Sequence, residues 1–153
     1  MVNKGIIMST DPKTFHVQSV SESGIQTSWI SHLPNKNQPE IKMSIPPEFE
    51  GPGDGYSPED LYALALINCF IATFKFVAEK SRLEFKNITG NAELTVGLGD
   101  KKSPWMQKLE VNIILSGAPQ AERALNLMEK TKKNCMIINS VNTEVIFHFH
   151  VEA

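Results

Sequence analysis

Cysteine is scarce in this chain: Cys69 and Cys135 are the only thiols among 153 residues. A structural zinc centre takes about four ligands, usually in closely spaced pairs. No Cys-x-x-Cys occurs, so no metal and no cofactor is expected. Positive charge is equally sparing. Fifteen basic against seventeen acidic residues leave a net −2, without a basic block. That excludes the concentrated positive face of a protein held on nucleic acid by phosphate contacts, and it gives no polybasic signal for an anionic membrane. Arginine is nearly missing: Arg82 and Arg123 are the only two, and the first 81 residues contain none. Long apolar runs are missing too. The uncharged stretch Leu61 to Phe74 has 14 residues, short of the ~20 that span a bilayer. Met1 to Asp11 carries Lys4 but no apolar stretch of secretory length. A cytoplasmic protein with no nucleic-acid or membrane partner is expected, and in that reducing compartment a purely structural disulfide is uncommon.

What is present suits one core. Apolar residues make up 41% and charged residues 21% of the chain, the balance of a globular protein of about one domain's length. A single domain over residues 1–153 follows. The period-two alternation around Phe15, Val17 and Ser19, then Ile25 to Ile30, then Ile41, Met43 and Ile45 predicts three antiparallel strands. Pro46 to Pro58 holds four prolines and three glycines and is expected to be a flexible loop without ladder hydrogen bonds. Ser57-Pro58-Glu59-Asp60 has the chemistry of a helix start: a capping hydroxyl, a proline at the first turn, and carboxylates at the positive end of the dipole. That helix is expected to run to about Ser81 and, being apolar on nearly every side, to lie in a core. Strands are predicted over Asn87 to Gly99 and Trp105 to Ser116. A helix opened by Pro119 follows, then a short helix at Cys135 capped by Asn134, and a last strand from Thr143 to Glu152. The order is that of an α+β protein.

Both thiols have two readings. Cys69 lies mid-helix with Ala65, Leu66, Ala72 and Thr73 on its face. It is either a small buried hydrophobe or a nucleophile that the flanking alanines leave open to another backbone. Cys135, placed in a first helical turn near Lys132 and Lys133, is expected to be the more acidic thiol. His148 and His150 share one strand face and are read as solvent-facing rather than metal-binding. Gly51-x-Gly53-x-Gly55 follows no strand and lacks the lysine of a phosphate loop.

The stretch from Ser57 to Phe70 resembles the OsmC/Ohr family, the osmotically inducible and organic-hydroperoxide-resistance proteins. Their hallmark is a Pro-Glu opening the central helix and a Cys-Phe ten residues after the glutamate; here Glu59 precedes Cys69 by ten. The family's second cysteine begins a short helix before the last strand, as Cys135 does. The resemblance implies an OsmC-like fold, with antiparallel sheets wrapped around long central helices in an intertwined homodimer. It also implies a peroxidase active on organic hydroperoxides in oxidative-stress defence. In that role Cys69 becomes a sulfenic acid, Cys135 resolves it as a disulfide, an external dithiol of lipoyl type reduces that disulfide, and Glu59 assists by hydrogen bonding. Ten helical residues rise about 15 Å, so Glu59 serves Cys69 only from a second copy of the chain. The sequence departs from the family in two places. The arginine usually found before the helix is absent, leaving Lys13, Lys36, Lys42 and His32 as cations. Met136 and Ile138 stand where a proline and a serine are common. The alternative reading is therefore an OsmC-like dimer with a degenerate site that binds a small hydrophobic ligand or has a non-catalytic stress role.

Overall fold

Ser57 and Asp60 open the longest helix by capping each other. The Ser57 hydroxyl accepts the Asp60 amide at 3.0 Å, and the Asp60 carboxylate accepts the Ser57 amide at 2.9 Å. Two otherwise orphaned donors are thereby satisfied. The computed structural model describes residues 11–153, so the segment read for a targeting sequence lies, apart from Asp11, outside the described residues. Helix α1 covers Pro58–Ser81. It ends with Arg82 in the left-handed region (φ 53°), the Arg82 amide on the Glu79 carbonyl and the Leu83 amide on the Ala78 carbonyl. This is the Schellman arrangement, with arginine where glycine is usual.

The chain divides into two compact units, residues up to Tyr62 and Ala63–Ala153. In the first, β1 (Gln18–Val20), β2 (Trp29–His32) and β3 (Ile41–Met43) form an antiparallel sheet in that order. The first two strands are shorter than the alternation predicts. Gly24 to Thr27 is a turn, with the Thr27 amide on the Gly24 carbonyl at 3.1 Å, and Phe15 and Val17 remain 83% and 77% exposed. The proline-rich segment is also better ordered than a flexible loop. It contains a 3-10 turn at Pro47–Phe49 and a parallel bridge from Met43 to Tyr56, in which the Tyr56 amide reaches the Lys42 carbonyl at 2.9 Å. Gly51 packs so tightly that a Cβ there would fall 1.9 Å from the Ile45 carbonyl oxygen.

In the second unit, β4 (Asn87–Gly97), β5 (Trp105–Ser116) and β6 (Glu144–Glu152) form a sheet in that order. β4 and β5 are antiparallel, but β6 runs parallel to β5, which corrects the all-antiparallel expectation. The cause is the connection. Helices α2 (Ala121–Lys132) and α3 (Met136–Asn139) carry the chain back to the starting end of β5, the crossover that parallel pairing needs. Leu109, Val111, Ile113 and Leu115 alternate inward from β5 and are fully buried. The buried face of α1 consists of Leu66, Ile67, Phe70, Phe74 and Ala78. Phe70 lies against Phe147 and Phe149 with ring centroids 5.0 and 5.3 Å away. Gly90 of β4 faces α1, where a Cβ would lie 3.4 Å from the Ile71 Cδ1 and 3.9 Å from the Ile67 Cβ. As a whole α1 has the length and composition to cross a bilayer; only this one face is buried within the chain, so the expectation of a helix enclosed on nearly every side is met on that face alone.

Candidate active site

Cys69 and Cys135, 66 positions apart in sequence, meet in the second unit. α1 presents Cys69, half-exposed, toward the start of α3. There the Ile137 amide donates to the Cys69 Sγ at 3.4 Å. The small residues around Cys69 allow this approach, as its flanking alanines suggested. Cys135 lies two residues before Ile137, close enough that Cys69 contributes to raising its thiol.

The cap of α3 differs from the sequence expectation. Cys135 itself is the N-cap, with extended backbone, while the Asn134 amide group reaches back to the Lys130 carbonyl at 3.1 Å. The Cys135 side chain turns away from the helix amides and donates to the Thr131 carbonyl at 3.4 Å. It is completely buried. Burial pushes its thiol up from 9.0 to about 12; the neighbouring Cys69 adds to the shift and a Thr73 hydrogen bond opposes it. Cys135 is therefore not acidified as expected: desolvation outweighs the dipole, and the Ile137 amide of the first turn serves Cys69 instead.

A linkage consequence follows. The folded chain holds the Cys135 proton up to about pH 12, whereas an unfolded cysteine releases it near 9.0. Across that window the folded state binds more protons, so stability falls as pH rises. Thermal melts at about pH 8 and about pH 10 should show a larger drop for wild type than for Cys135→Ser.

Glu59 lies ten residues before Cys69 in α1 and is not part of the thiol pair. Its Oε2 is shielded from solvent and makes no hydrogen bond among the described residues. Of the cations considered as arginine substitutes, Lys42 is engaged with Asp54 at 2.6 Å, a contact that lowers the Asp54 carboxyl below its ordinary value. Arg123 is held by the Ser81 carbonyl and the Gln120 side chain. His148 and His150 point outward from β6, opposite Phe147 and Phe149. Thr73 is the residue that sequence reasoning passed over. It was placed on the Cys69 face, and its hydroxyl donates to the Cys69 carbonyl at 2.7 Å.

The model of the OsmC-like protein family matches residues 51–149, well over half of the chain. The chain belongs to this family. Among its relatives, an organic hydroperoxide resistance protein of Xanthomonas axonopodis pv. citri is 29% identical over 107 residues, covering 69% of this chain and 74% of the relative. An OsmC-like protein of unknown function from Vibrio cholerae superposes with a TM-score of 0.78 at 20% identity, over 90% of this chain and 99% of that one. An organic hydroperoxide resistance protein from Legionella pneumophila gives a TM-score of 0.70 at 17% identity, over 93% and 100%. The OsmC-like α+β fold is thereby established. Membership connects the chain with peroxide-resistance proteins.

Proposed function

We propose that this chain is a thiol-based reductase of organic hydroperoxides, acting in the cytoplasm as a homodimer in oxidative-stress defence. The observation that carries the reading is the contact between Cys69 and Cys135. One sulfur is reachable from solvent and faces a backbone amide; the other is buried at its side. In the first step the Cys69 thiolate attacks a peroxide oxygen. An S–O bond forms, the O–O bond breaks, and the departing alkoxide takes a proton to become an alcohol. The Cys135 sulfur then displaces the oxygen from the Cys69 sulfenic acid, yielding a disulfide and water. An external dithiol restores both thiols by exchange.

Glu59 acts in this scheme as a hydrogen-bonding group supplied by a second copy. Its solvent-shielded, unpartnered oxygen supports that assignment, because such an atom is costly unless another group satisfies it. The exposure of Phe15 and Val17, and of Met136 at 56%, supports a partner surface as well.

The test is chemical. One equivalent of cumene hydroperoxide should remove both free thiols and create a Cys69–Cys135 link visible by mass spectrometry after digestion. Two free thiols remaining after treatment would refute the reading.

A further inference from the structure

Helix α3 does not receive its cap from the residue that begins it. Cys135 occupies the N-cap position, and an N-cap side chain normally accepts the amide of the second or third helical residue. Here that side chain makes no capping bond. It donates instead to the Thr131 carbonyl of α2 at 3.4 Å. The amide of Ile137, the second residue of α3, has no acceptor within its own helix, as is general for a first turn. It finds one in another element: the Cys69 sulfur of α1, at 3.4 Å. One cysteine thus caps the helix that the other begins.

This contact has a chemical consequence. A hydrogen bond to an ionised acceptor is roughly twice as strong as one to a neutral acceptor, so a donor fixed against a sulfur favours thiolate over thiol. The turn that carries the donor is tied down. The Asn139 amide reaches the Cys135 carbonyl at 2.9 Å, and the Asn139 side chain holds the Lys133 carbonyl at 3.0 Å. The charged groups nearest in sequence are Lys132 and Lys133 at the end of α2, and Lys132 is engaged with Glu129 at 2.9 Å. We propose that the Ile137 backbone amide is a catalytic group, which holds the Cys69 sulfur as the thiolate that attacks. The argument is this one bond and not a helix dipole, since α3 is a single turn. It rests on the reading in which Cys69 is the attacking sulfur, and it assigns the group that activates it. Ionisation passes the Cys69 proton to solvent and leaves the electron pair on sulfur.

A peroxide-independent experiment isolates the step. Iodoacetamide alkylates the accessible Cys69 and spares the completely buried Cys135; an S–C bond forms and iodide leaves. Ile137→Pro removes the amide proton at a first-turn position, where proline is tolerated. Alkylation at about pH 7 should slow roughly three- to tenfold, because the loss of thiolate is partly offset by the greater nucleophilicity of an unassisted one. The deficit should disappear at about pH 10, where a thiol with an ordinary value of about 8.5 ionises unaided. Met136→Pro keeps the Ile137 amide and places proline at the first helical position, so its rate should stay within about twofold of wild type.

Proline also restrains the residue before it, so a second measurement leaves the chain intact. In isotope-labelled wild type the Ile137 amide proton should move downfield as pH rises, with the same midpoint as Cys69 alkylation. In Cys69→Ser, whose hydroxyl accepts the amide but does not ionise in this range, that movement should vanish. Equal alkylation rates in wild type and Ile137→Pro at about pH 7 would overturn the assignment. So would an Ile137 amide signal in wild type that ignores the ionisation of Cys69. A wild type that shows both signatures but keeps both thiols under cumene hydroperoxide would refute the peroxidase reading and leave Ile137 as the donor to a reactive thiolate.

Discussion

Replacing Cys69 with serine should reduce hydroperoxide consumption to the uncatalysed background, whereas Cys135→Ser should permit a single oxidation and then stop. The two variants differ because the proposed roles differ. Without Cys69 no sulfur attacks peroxide. Without Cys135 the Cys69 sulfenic acid forms and has no neighbour to resolve it, so a sulfenic-acid trap such as dimedone should label Cys69 in that variant and only weakly in wild type. Neither change threatens the fold. A serine at 135 can donate to the Thr131 carbonyl as the thiol does, and a serine at 69 still offers an acceptor to the Ile137 amide. Loss of activity with an unchanged melting temperature therefore reads as lost chemistry. If consumption continued in Cys69→Ser, the cysteines would be structural and the peroxidase assignment would fail.

The parts of the fold that could be read from sequence are those where local signals agree. α1 was legible at both ends because the Ser57–Asp60 capping chemistry, Pro58 and the apolar run all specify the same helix. β5 was legible because Leu109, Val111 and Ile113 alternate with Glu110 and Asn112, and these three lie on one buried face. The three N-terminal strands were legible as an antiparallel set, but the bounds of the first two were not. Alternation at Phe15 and Val17 carries register only if one face is covered, and in a single copy neither residue is.

The direction of β6 depends on where two helices return the chain, which no local pattern in β6 records. At the site, a one-residue error in the α3 cap was enough to assign the helix amides to the wrong sulfur. With Asn134 as cap, Cys135 takes the dipole; with Cys135 as cap, its side chain folds back into the core and the Ile137 amide turns to Cys69. The identity of both cysteines was legible in the sequence. The acidity of Cys135 was not, because it is set by burial, and burial is a tertiary property.

Phe70→Ala should be the most damaging core substitution near this site. Phe70 is fully buried. Its ring is parallel to that of Phe74 within 4° at 6.1 Å and contacts Phe147 and Phe149 on β6. Truncation removes one member of a cluster that joins α1 to the sheet, at a cost of about 3–5 kcal/mol. That is a large share of the roughly 5–15 kcal/mol that holds a typical domain together, and it should lower the melting temperature by roughly 10 °C or more. Phe70→Leu, which keeps a branched apolar group in the cavity, should cost distinctly less.

The substitution should reach the chemistry as well. Phe70 follows Cys69 directly, and its ring anchors the roll of α1 about its axis. When that anchor is lost, Cys69 is no longer held toward the Ile137 amide and the Cys135 sulfur. At a temperature where Phe70→Ala is still folded, dithiodipyridine should first release one thiopyridone at Cys69 and then a second as Cys135 closes the disulfide, and the second release should slow more than the first. Equal slowing of both phases would mean that Phe70 supports the unit's stability without aiming the sulfur.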